Sequence, residues 1–76
     1  MPRLSRVTAR QLLRALKKLG WYEQRQTGSH LVLRHDGLPS ARVVIPMHAR
    51  EIILPKTLAS ILEQAGVTAD ELRDLL

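Results

Sequence analysis

Cysteine and phenylalanine are missing from this chain, and tryptophan and tyrosine occur once each. Without thiols there can be no disulfide staple and no thiolate metal site, a composition that fits a reducing compartment and hence the cytoplasm. The two aromatics, adjacent as Trp21 and Tyr22, fall short of the multi-ring stacking platform of an RRM or OB module. Four scattered glycines serve caps and turns and make no phosphate-cradling loop. No apolar run approaches the roughly 18 residues of a membrane span. Arginines interrupt the stretch from Met1 to Leu16, so neither a membrane anchor nor a signal peptide is expected. At 76 residues the chain is read as one small domain over residues 1–76, too short for a cofactor cleft between two lobes.

Acidic residues are also scarce at first. Met1 to Arg34 holds eight basic residues and one acid, Glu23, for a charge of +7, whereas the remainder holds four bases and six acids, for −2. Such asymmetry fits a surface that meets a polyanion, most commonly nucleic acid, and a merely solvated basic face would look the same.

What is present patterns into short elements. Thr8 and Gln11 form a capping box, Val7 can staple against Leu12, and Leu12, Leu16 and Leu19 make an apolar stripe ended by Gly20. Arg10, Arg14 and Lys17 occupy another face of this helix, with Lys18 beside them. Trp21 to Gln26 reads as a strand, Thr27-Gly28 as a tight turn and His30 to Arg34 as a second strand. After a loop marked by Asp36-Gly37 and Pro39-Ser40, Ala41 to Ile45 reads as a third strand, ended by Pro46. Met47 to Leu54 is an irregular connection. A second helix starts at Pro55 or Thr57 and stops at Gly66, and Thr68 with Glu71 caps a short terminal helix. The expected fold is α+β: α-β-β-β-α with an extra C-terminal helix, the helices packed on one face of a three-stranded antiparallel sheet.

Chemistry has few places to reside. No nucleophile elbow is present, and a Ser-His-Asp set could be assembled only from distant residues. His30 and His35 lie five apart across a strand and so face opposite ways, with His48 elsewhere, and no metal or other cofactor is expected. His30 stands directly after the turn in a basic setting. A two-residue loop pairing Gln26 with Ser29 puts Arg25 across from His30 on one sheet face. That register sends Tyr22, Leu31 and Leu33 inward but leaves Trp21 outward, a conflict that points to a different loop length. Imidazole is the natural general base near neutral pH, and RNA brings its own nucleophile in the 2′-hydroxyl. On the residues alone, a surface strand histidine remains the competing reading.

The run Gly28-Ser29-His30, preceded by Gly20-Trp21 and Arg25-Gln26, resembles the HicA (YcfA-like) messenger-RNA interferase toxins. Val7-Thr8, Pro46-Met47-His48 and Thr57-Leu58-x-x-Ile61-Leu62-x-x-Ala65-Gly66 extend the resemblance over about residues 7 to 72. Trp21 stands where Phe is more usual, and Lys56 where the family often has Gly. The resemblance implies a double-stranded-RNA-binding-like fold and metal-independent cleavage of messenger RNA. It also implies His30 as the essential catalytic residue and a HicB antitoxin partner that blocks the active face. Gly28 then serves the turn, Ser29 contacts either phosphate or turn backbone, and Arg25 contacts phosphate. Arg10, Arg14, Lys17 and Lys18 read the RNA backbone or simply keep the helix soluble. His48 is either a second site residue or a loop histidine. Two other functions stay open at this point: a non-catalytic double-stranded-RNA-binding module, and a small DNA-binding regulator, against which the wide separation of the helices argues.

Overall fold

The computed structural model describes residues 6–47 and 52–76. Thr8 opens helix α1 (Ala9–Lys18) with both halves of the capping box formed, its hydroxyl accepting from the Gln11 N–H and the Gln11 side chain accepting from the Thr8 N–H. Ala9, Leu12, Ala15 and Leu16 are buried, and Val7 joins the same core. The chain leaves α1 through Gly20, whose φ of +98° lies in the left-handed region that favours glycine.

Three strands follow: β1 (Trp21–Thr27), β2 (His30–His35) and β3 (Val43–Pro46), antiparallel in that order with β2 central. β1 runs one residue further than expected, so Gly28 and Ser29, not Thr27 and Gly28, form the two-residue turn. Gly28 has φ +58° and no other residue type has a positive φ among the described residues, which is the pattern of a type II′ turn with glycine first. Arg25 therefore pairs with Val32, correcting the expectation that it lies directly across from His30; the residue opposite His30 is Thr27.

A bulge resolves the conflict over Trp21. Glu23 pairs with Leu33 and Arg25 with Val32, leaving Gln24 as an extra residue in β1. Beyond it the alternation is inverted. Trp21 pairs with His35 and is buried at 3% exposure, while Tyr22, expected to point inward, pairs with Arg34 and is 46% exposed. A regular ladder of either turn position would have left the indole in water; one inserted residue, with the loop length unchanged, brings it into the core.

β3 also differs from expectation, beginning at Val43 and including Pro46, which sits opposite His30. As an edge-strand residue Pro46 needs no N–H, and the next donor, the Met47 N–H, bonds to the Ser29 carbonyl and ties the end of β3 to the hairpin turn.

Pro55 is the first residue of α2 (Pro55–Ala65), preceded by Leu54 without a side-chain cap, so proline and not Thr57 sets the start. Thr68 and Glu71 form the second capping box at α3 (Ala69–Leu75). Leu58, Ile61, Leu62 and Leu72 from these helices meet Leu12 and Leu16 of α1 and Leu31, Leu33, Val43 and Ile45 of the sheet in one core. The Ile53 N–H bonds to the Val7 carbonyl at 2.8 Å and joins the approaches to α1 and α2. The result is the expected α+β domain, helices on one face of a three-stranded antiparallel sheet.

Candidate active site

Strand alternation sorts the sheet into two faces. Leu31, Leu33, Val43 and Ile45 turn toward the helices, so His30, Val32, Arg34, Arg25, Thr27, Tyr22, Val44 and Pro46 turn the other way. Of this second set only Val32 is buried. Among the described residues no element covers this face.

His30 opens β2 on the open face, between Thr27 and Pro46 on its flanking strands. Its side chain is exposed and takes part in no hydrogen bond or ion pair with another described residue. Among the described residues, nothing engages either ring nitrogen. Arg25 lies on the same face at the diagonal position, a spacing of about 7–8 Å that an arginine side chain spans. Gly28 allows the chain to reverse immediately before the imidazole, and a Cβ there would touch nothing within 4 Å, so its requirement is conformational. Ser29 is partly buried, and its carbonyl is engaged by Met47. His48 lies outside the described residues.

The basic residues of α1 are not brought to His30. They sit in the helical layer, on the opposite side of the sheet. Lys17 is ion-paired with Glu23 of β1, and the Lys18 ammonium donates to the Leu75 carbonyl at 2.9 Å. Arg10 and Arg14 remain exposed and line, with Leu13 and Lys17, a shallow depression of about 190 Å³.

His35 has the opposite environment to His30. Its Nδ1 accepts from the Gly37 N–H at 2.9 Å, and its Nε2 lies 2.7 Å from the Leu19 carbonyl, to which it donates as the neutral Nε2–H tautomer. The ring stands edge-on to Trp21 with centroids 5.3 Å apart. His35 is a structural joint between the end of α1 and the end of β2. A Cβ at Gly20 would stand 2.8 Å from its Nε2.

A further feature of the open face had no sequence signal. Tyr22, Gln24, Arg34, His35, Asp36 and Pro39 line a groove of about 310 Å³. Arg34 is held in it by Nε donating to the Gln24 side chain and a terminal nitrogen donating to the Ala41 carbonyl, both at 3.3 Å. The bulge that places Gln24 there left no mark in residue type. Among the described residues no three His, Asp or Glu side chains converge as a metal site, and no helix is long and apolar enough to cross a membrane.

Comparison with curated proteins finds no match. The model of one protein family, described as HicA toxin of bacterial toxin-antitoxin systems, matches residues 9–67, from the first residue of α1 to the residue before the cap of α3. That span is well over half the chain and contains the Gly28-Ser29-His30 turn, the bulged hairpin and α2. The chain belongs to the HicA toxin family of bacterial toxin–antitoxin systems.

Proposed function

We propose that this toxin is an endoribonuclease that cuts messenger RNA without a metal ion, with His30 as general base, and that a HicB-type antitoxin silences it by covering the open sheet face. The observation that carries the reading is the exposed imidazole of His30, which no described residue engages, at the mouth of a glycine turn and on a sheet face that also bears Arg25. The RNA supplies the nucleophile, so the protein has two tasks: to remove a proton and to stabilise charge at phosphorus. His30 takes the proton from a 2′-hydroxyl. The freed oxygen attacks the adjacent phosphorus, and the bond to the 5′-oxygen breaks. That oxygen leaves as a 5′-hydroxyl after taking up a proton, and the other fragment ends in a 2′,3′-cyclic phosphate. Arg25, diagonal to His30, is positioned to offset the charge that builds on the phosphate oxygens. The protein then acts where messenger RNA is found, in the cytoplasm.

Incubating the protein and its His30→Ala variant with a defined messenger RNA in EDTA, then identifying the end groups, tests this reading. Cleavage with cyclic-phosphate ends is expected from the parent, with a fall of about 10²- to 10⁴-fold in the variant, the contribution of a positioned base. A variant that cuts at the parent rate would remove His30 from the chemistry, and activity abolished by EDTA would remove the metal-independent route.

A further inference from the structure

The groove beside the bulge has a composition that the chemistry at His30 does not use. The chain's two aromatics are neighbours in sequence, and the bulge turns them to opposite faces, Trp21 into the core and Tyr22 out into this groove. A half-exposed tyrosine on a sheet face that no described element covers leaves an apolar ring surface in water. Beside it, Arg34 is partly buried and fixed by two hydrogen bonds. Those bonds use two of the five N–H groups of a guanidinium, so three are unengaged by any described residue and held in a set direction. The same groove is lined by Asp36, whose carboxylate disfavours a phosphate there and tolerates the neutral, hydrogen-bonding edge of a base. Ring surface for stacking, fixed donors for a base acceptor and a nearby carboxylate that offsets the pull of the arginine on phosphate are the features a nucleobase subsite needs. Purines fit best, having the larger stacking face and an N7 acceptor for arginine.

We propose that Tyr22 and Arg34 form a subsite for one unpaired purine of the RNA, with Tyr22 stacking on the base and Arg34 donating to its edge. This rests on the ribonuclease reading and narrows its substrate to single-stranded RNA with a purine near the cut. Arg34 lies four residues along β2 from His30, about 13 Å at strand spacing. The base held here therefore belongs to a neighbouring nucleotide, not to the one whose 2′-hydroxyl attacks.

The test is equilibrium binding by the His30→Ala protein, which leaves the RNA intact. A labelled unpaired oligoribonucleotide is titrated, with each purine in turn replaced by an abasic residue. One position is expected at which base loss weakens binding about 5- to 150-fold, the range of a single base–aromatic stack. Adding Tyr22→Leu should abolish that position's effect and weaken the intact oligonucleotide by the same factor, while Tyr22→Phe should retain it. The slope of log affinity against log salt should be equal with Tyr22 or Leu, because the same number of phosphates is neutralised in both. An abasic scan without a sensitive position, or a Tyr22→Leu protein with the full profile, overturns the subsite. The scan is made with Tyr22 in place, so it decides even if Tyr22→Leu fails to fold. Should the parent protein cut no RNA while the sensitive position depends on Tyr22, the ribonuclease reading falls and the subsite stands.

Discussion

Two histidines on one six-residue strand show how much of a residue's role is set by its surroundings. His30 faces the open side with neither nitrogen engaged by a described residue, and His35 faces the helical side with both engaged. Their opposite orientation was legible from the period of two along a strand, and the role of His35 was not. Its partners are backbone groups of Leu19 and Gly37, and a carbonyl or amide carries no residue-type signal. The two substitutions should separate cleanly. His35→Ala leaves the Leu19 carbonyl and the Gly37 N–H without their partner and removes the ring packed on Trp21. At about 0.5–1.5 kcal/mol net per hydrogen bond plus the missing packing, it should destabilise the fold by about 2–3 kcal/mol, read from the denaturant midpoint. His30→Ala, at an exposed position, should stay within about 0.5 kcal/mol of the parent while activity collapses. Equal stability of the two variants would refute the division of roles.

At the scale of elements, the two capping boxes were readable because each is a local pairing of named side chains three residues apart, Thr8 with Gln11 and Thr68 with Glu71. The hairpin was readable only in outline. The Gly-Ser-His run marked a turn, but whether glycine took the first or the second central place depended on its φ. The bulge was still less visible, since Glu23, Gln24 and Arg25 are all polar residues at home on either face. Its one trace was the misfit of Trp21, an outward indole that a regular ladder from either two-residue turn position produces. Deleting Gln24 tests the role of the bulge. With a regular β1, the indole turns toward solvent, and the destabilisation should approach the roughly 3–5 kcal/mol of removing a buried large aromatic. Trp21 is the single tryptophan, so its emission should shift to the red in the native state. An unshifted spectrum with parent stability would mean that the hairpin can place Trp21 inward without an inserted residue.

For the whole molecule, the net charge of +5 proposed a polyanion partner but could not say that the sheet would divide the positive charge between two layers. His30 and Arg25 share the open face, whereas Arg10 and Arg14 lie on α1 behind it, and Lys17 and Lys18 are engaged within the protein. On the proposed ribonuclease reading, this separation distinguishes groups that would touch the reacting phosphate from groups that would attract the strand at a distance, because electrostatic attraction reaches about 8 Å at physiological salt and proton transfer does not. The kinetic consequences differ accordingly. Replacing Arg10 and Arg14 together by Gln should raise KM, leave kcat within about twofold and flatten the salt dependence. The log–log slope should fall by about 0.7 for each phosphate of a single strand that is no longer neutralised. Arg25→Gln, diagonal to His30, should instead lower kcat on the proposed mechanism, because the charge it would offset grows as the transition state forms. Cleavage rates of a defined messenger RNA, measured against substrate concentration at several salt concentrations, decide the matter. A double variant of α1 with a diminished kcat and an unchanged salt slope would place the helix at the reacting phosphate and overturn the two-layer division of labour.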